Sequence, residues 1–132
     1  MKNFSGFIGL PFKLHGRDRS GVDCWGLIRL VFADHLGIDL PAYEYSSAKE
    51  ARAELVESEK TAWVQVSPDS ARPYDVVLLR VSGLPLHVGV VIDPPRFLHI
   101  LAGVEACLEK YTDMAWRNRL LGIYRHVGMI EE

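Results

Sequence analysis

The sequence predicts one α+β domain over residues 1–132, with N-terminal helices packed on a central antiparallel sheet of about five strands. Three observations carry this prediction. Apolar residues recur at helical spacing behind Cys24, they alternate with period two from Trp63 onward, and the later runs are joined by short turns. Short turns pair successive strands antiparallel, because a parallel neighbour needs a long crossover. With 132 residues and 48% hydrophobic content, the chain can bury a substantial core.

Residues 1–23 are punctuated by glycine and charge, so Gly9-Leu10-Pro11-Phe12 reads as a turn and residues 16–21 as a loop. The first helix starts near Cys24, with Leu27, Ile28, Val31, Phe32 and Leu36 on one face and Ser20 or Asp23 as N-cap. It ends near Leu36-Gly37, glycine being suited to a left-handed C-terminal cap. Ile38-Asp39-Leu40-Pro41 then leaves in extended form, since the residue before proline is pushed out of the helical region. A second helix is expected over 47–59, capped by Ser46 or Ser47, with Glu50 near the capping-box position. Strands are expected over 63–66, 76–81, 87–92, 97–101 and 120–124, with turns at Ser82-Gly83-Leu84-Pro85 and Asp93-Pro94-Pro95-Arg96.

Composition excludes several classes of function. The net charge is −2 and no block of Lys or Arg stands out, so a broad nucleic-acid-binding face is not expected. No apolar run approaches the roughly 20 residues of a membrane span. The start carries Lys2 but no continuous apolar stretch, and Pro11 interrupts it, so no secretory signal is read and synthesis in the cytoplasm is expected. Two cysteines make no disulfide framework.

The chemistry begins at Ser20-Gly21-Val22-Asp23-Cys24-Trp25-Gly26-Leu27, which places a thiol where a loop becomes a helix. The positive end of the helix dipole favours thiolate there, and thiolate is the nucleophilic form. Such a nucleophile needs a base, and the base needs an orienting partner. On a strand over 87–92, His87, Gly89 and Val91 share one face, and on the next strand Phe97, His99 and Leu101 do. Gly89 leaves space beside the imidazole, and His87 and His99 can approach across the antiparallel pair. Cys24, His87 and His99 thus offer nucleophile, base and orienter, and the Cys24 backbone N–H is an oxyanion donor. Cys107 reads as structural, while His15, His35 and His126 have no assigned partner, although His15 lies in the loop leading to Cys24. Trp25, Trp63 and Trp116 read as core or cleft-wall aromatics. Cys24, His87, His99 and Asp23 are zinc-ligand types, but there is no Cys-x-x-Cys or His-x-x-x-His pair, so no metal or cofactor is expected.

The chain resembles the NlpC-type cell-wall peptidases, a papain-like cysteine hydrolase superfamily, and especially the branch found in tails of phages and gene transfer agents. The residues that carry the resemblance are 9–12, 21–27, 36–43, Arg72-Pro73-Tyr74-Asp75 with the apolar run after it, His87-Val88-Gly89-Val90-Val91, Leu98-His99 and Leu121-Gly122-Ile123-Tyr124-Arg125-His126. Asp-Cys-x-Gly-Leu followed downstream by His-Val-Gly is the specific part.

The resemblance implies a papain-like fold with Cys24 as nucleophile, His87 as base and His99 as third polar residue, cleaving amides of peptidoglycan stem peptides next to a D-configured acidic residue. Relatives often carry Tyr where this chain has Phe12, so His15 or a backbone amide is left to supply the second oxyanion bond, with Asp23 in support. Tyr74-Asp75 replaces the usual Gly-Asp pair. The implied setting is a phage-type tail particle, with tail-tip or hub proteins as partners. Two other readings use the same residues: a non-catalytic tail-assembly subunit that keeps the fold, and a thioester-forming acyl or peptidyl transferase.

Overall fold

The computed structural model describes residues 3–14, 16–41, 62–81 and 84–129. The helix expected over 47–59 and His15 lie outside the described residues.

Local sequence explains the entry into the first helix. Strands β1 (Arg17–Asp18) and β2 (Gly21–Val22) form a short hairpin where a loop was expected. The Ser20 hydroxyl and amide both donate to the Asp18 carboxylate, so Ser20 closes this turn and does not cap the helix. Asp23 is the cap: its buried carboxylate accepts from the Gly26 amide at 2.8 Å. That bond satisfies one of the first-turn donors that a helix leaves without an internal acceptor. Helix α1 (Cys24–Val31) follows and continues as a π-helical turn over Phe32–Leu36. Gly37 stops it at φ 66°, and the Ile38 amide reaches back to the Phe32 carbonyl at 3.2 Å.

Among the described residues six strands build the sheet: β3 (Trp63–Val66), β4 (Val76–Val81), β5 (Leu84–Asp93), β6 (Arg96–His99), β7 (Cys107–Lys110) and β8 (Leu120–His126). Their order is β3-β8-β4-β5-β6-β7, antiparallel throughout. Period-two alternation splits the sheet into two faces. Val76, Leu78, Val88, Val90, Ile92 and Leu98 pack with Leu27, Ile28, Val31 and Phe32 of the helical segment. Val77, Leu79, Val91, Phe97 and Ile123 pack with Tyr111 and Trp116 on the opposite face. Strand β7 was not anticipated, because Cys-Leu-Glu-Lys has one strongly apolar side chain and two charges. That composition suits an edge strand.

The departure at Tyr74-Asp75 falls where the backbone is most demanding. Tyr74 sits at φ 73°, a left-handed conformation that costs a non-glycine residue about 1–2 kcal/mol. It is held there by its backbone N–H donating to the Val91 carbonyl at 2.8 Å and by a hydrogen bond between its hydroxyl and His35 Nδ1 at 3.0 Å. The next residue is anchored as firmly. Arg125 donates to buried Asp75 from Nε at 2.9 Å and from a terminal nitrogen at 2.8 Å, tying the turn before β4 to β8.

Candidate active site

Cys24 is the first residue of α1 and is 9% exposed, and α1 packs on β5, the strand that carries His87. The chain around the helix start is closely fitted. A Cβ at Gly26 would lie 2.3 Å from the Gly16 carbonyl oxygen, so only glycine lets the preceding loop rest there. The segment ahead is pinned as well, by Val22 N–H to the Pro11 carbonyl and Lys13 N–H to the Val22 carbonyl, each at 3.0 Å. Phe12 is therefore held beside the strand leading into Cys24. It lines a cleft of about 250 Å³ with Pro11, Gly103, Val104 and Glu105. One wall of that cleft precedes Cys24 and the other follows His99 in the chain. Asp23 acts through the helix cap described above.

The structure brings His87 and His99 together. Their rings share a hydrogen bond of 2.9 Å between His87 Nε2 and His99 Nδ1. His99 Nε2 in turn lies 2.5 Å from Glu109 Oε2. The β5–β6 register explains the first contact. Val91 opposes Phe97 and Val90 opposes Leu98, which sets His99 across from Gly89, next to His87 on the same face. Gly89 is essential to that approach. A Cβ there would meet Phe97 Cδ2 at 2.8 Å, the Leu98 carbonyl oxygen at 2.9 Å and His99 Cβ at 3.1 Å. Gly89→Ala is accordingly expected to cost about 1–3 kcal/mol through overpacking and to displace His99. Paired measurements of thermal midpoint and hydrolytic rate check this, and an unchanged pair would show that the space is not needed.

Protonation follows from the donors and acceptors. His87 is 1% and His99 2% exposed, and Trp116 stacks on His87 at 6.2 Å while meeting His99 edge-on at 5.2 Å. Burial, assisted by the neighbouring His99, pushes the His87 pKa down to about 3. Burial also lowers His99, against the hydrogen bond and charge of Glu109, which pull it up. Both rings are therefore neutral near pH 7, each with one N–H. A carboxylate only accepts, so His99 carries its proton on Nε2 and accepts on Nδ1. His87 must then donate from Nε2, leaving its Nδ1 as an unprotonated base.

Glu109 is the residue that sequence reasoning missed, and Cys107 is its neighbour on the same strand face. The β6–β7 register sets Cys107 directly opposite His99, with Cys107 Sγ 3.8 Å from His99 Nε2. Burial and the Glu109 charge push the Cys107 thiol pKa up. Cys107 thus borders the histidine pair and is not a remote structural thiol. Period-two alternation over 107–110 was the available signal, since it puts Cys107 and Glu109 on one side. His35 and His126 serve the packing: His35 meets Tyr74, and His126 Nδ1 accepts from the Gly128 amide at 3.0 Å.

Chain order narrows the class, because a cysteine at a helix start that precedes histidines on the following sheet is the papain-like order. The fold agrees with that class: the chain overlays on the NlpC/P60 domain of peptidoglycan hydrolase SagA with a TM-score of 0.62, covering 90% of this chain and 89% of that one at 21% identity. An NlpC/P60 family protein from Bacillus cereus overlays with a TM-score of 0.68 at 19% identity, over 92% of this chain and 37% of that one. The chain belongs to the NlpC/P60 family, whose sequence profile matches residues 9–125. Among curated relatives, it is 24% identical over 119 residues to murein DD-endopeptidase MepS/murein LD-carboxypeptidase of Escherichia coli (strain K12), a match spanning 90% of this chain and 57% of that protein. It is 28% identical over 123 residues to gamma-DL-glutamyl hydrolase of Bacillus subtilis, spanning 90% of this chain and 27% of that protein. The chain therefore spans about half or less of these relatives' length.

Proposed function

We propose that the protein is a cysteine peptidase that hydrolyses amide bonds in peptidoglycan stem peptides, with Cys24 as nucleophile, His87 as base and His99 as its orienter. The observation that carries this reading is the Glu109–His99–His87 chain of hydrogen bonds, which leaves one imidazole nitrogen, His87 Nδ1, with a free lone pair. A buried scaffold has no need of a base held in one tautomer. The substrate class is supported by the relatives' names, which refer to murein and to gamma-DL-glutamyl bonds.

In this mechanism burial keeps the resting imidazole neutral, and the proton moves when substrate arrives. The Cys24 thiol passes its proton to His87 Nδ1 as sulfur attacks the carbonyl carbon. First-turn amides of α1, with the dipole behind them, face the developing oxyanion and favour the thiolate. The tetrahedral intermediate collapses to a thioester, and the leaving nitrogen takes the proton from His87. Water, deprotonated by the same nitrogen, then releases the acid and regenerates the thiol. The Phe12 side chain offers no hydrogen bond, so a backbone amide or His15 supplies the second bond to the oxyanion. The resemblance of 121–126 to tail proteins extends the proposal: the enzyme is carried in a phage-type tail particle, bound to tail-tip or hub proteins.

Digestion of purified peptidoglycan and of synthetic stem peptides, followed by mass spectrometry, tests this reading. Fragments that have gained one water at a stem-peptide amide are expected. Absence of cleavage in both substrates favours the assembly-subunit reading, and products joined to an added amine favour the transferase.

A further inference from the structure

We propose that His99, Cys107 and Glu109 form a binding site for a thiophilic divalent cation, zinc above all, and that its occupancy switches the peptidase off. The second half rests on the function proposed above; the first does not. His99 Nε2, Cys107 Sγ and a Glu109 carboxylate oxygen all lie within 4.8 Å of one another. Among the described residues no other trio of His, Cys, Asp or Glu comes so close. The hairpin of β6 and β7 supplies all three, because Cys107 opposes His99 and Glu109 lies two residues on, along the same face.

Nitrogen, sulfur and oxygen, one of each, with an open fourth position, is a donor set that zinc accepts. Bonds of about 2.0–2.3 Å in a tetrahedron put ligand atoms roughly 3.3–3.8 Å apart. Cys107 Sγ and His99 Nε2 are already 3.8 Å apart. Glu109 has to withdraw from its 2.5 Å contact, and its side chain, 39% exposed, has room to do so. Cys107 and Glu109 are half-buried, so both ligands are in contact with solvent.

Occupancy reverses the protons of the relay. A metal on His99 Nε2 leaves the neutral ring its proton on Nδ1, which then donates to His87 Nε2. His87 consequently carries its proton on Nδ1, the nitrogen that must accept from the thiol, and the base is gone. Each imidazole still holds one proton. The single proton released comes from Cys107, whose sulfur binds as thiolate.

The site is tested by titrating zinc chloride into the Cys24→Ala protein, which removes the other thiol, and into Cys24→Ala with Cys107→Ala or Cys107→Ser. One ion per chain is expected, with affinity weakened by either Cys107 change at least about 100-fold, the upper range for losing a mere outer-shell partner. Cobalt is expected to give a thiolate charge-transfer band that both changes abolish. With Cys24 intact, zinc inhibition should track the binding curve and reverse with chelator. Cys107→Ala should keep its metal-free activity and need at least about 100-fold more zinc for inhibition. Absence of binding, or binding indifferent to both Cys107 variants, overturns the site. Binding without inhibition of a working enzyme overturns the switch. If no substrate is cleaved at all, the proposed function fails, and the zinc-titration and cobalt results still decide the site.

Discussion

Cys24→Ala is expected to abolish turnover while leaving the fold in place. In the proposed mechanism the sulfur is the atom that bonds to the substrate carbonyl carbon, and no neighbouring group replaces a covalent intermediate. Loss of the nucleophile in hydrolases of this logic costs about a millionfold in kcat. The structural cost is small by comparison. Cys24 occupies the first position of α1, where the cap comes from Asp23 and the fit of the loop from Gly16 and Gly26. Removing one sulfur at that point should change stability by about 1 kcal/mol or less. Rates on a stem peptide and a thermal midpoint, measured on the same preparation, check both halves. Substantial cleavage by Cys24→Ser would refute the thiolate mechanism, because a hydroxyl at that position lacks the acidity on which it depends.

Loss of His99 is the second large effect. His99→Leu should lower kcat by about 100-fold to 10,000-fold with little change in KM, since His87 is then free to place its proton on the wrong nitrogen. Glu109 grades the same effect. Glu109→Leu removes the acceptor that sets the His99 tautomer, whereas the amide oxygen of Glu109→Gln still accepts from Nε2–H. The expected order of kcat is wild type, then Gln, then Leu. A Gln variant no better than Leu would mean that the carboxylate charge matters and the tautomer does not. The histidines also leave a signature in stability. Burial lowers both pKa values, that of His87 to about 3, so in the window below the ordinary histidine value of 6.5 the unfolded chain binds protons that the folded chain does not. Stability is therefore whole above the ordinary histidine pKa and falls as pH drops through that window. Urea midpoints measured against pH should show this slope in the wild type and a shallower one in His99→Leu.

Much of this molecule was legible in its sequence because the signals were local. Asp23, Cys24 and the apolar face behind them mark a helix start, and Gly37 marks its end. His87 with Gly89 marks one face of a strand. Harder to read were features that depend on partners distant in sequence. Ser20 is a separate case, since its partner Asp18 is only two residues away and Ser20 competed with Asp23 for the cap because both residue types cap helices equally well. The run 107–110 is too short and too charged to announce a strand, and its value comes from lying beside β6. Glu109 was missed for that reason, and Cys107 looked isolated until the register placed it opposite His99.

The position of β7 at the sheet's end gives the site an uneven durability. Glu109 holds the outermost bond of the relay and stands on a strand of four residues, with β6 on one side and, among the described residues, no further strand on the other. Short marginal strands open at lower free energy than central ones such as β4 and β8. Warming or mild denaturant should therefore fray this margin while the central strands still protect their amides from exchange. The base would lose its tautomeric control in a molecule that is otherwise folded, so inactivation should run ahead of melting.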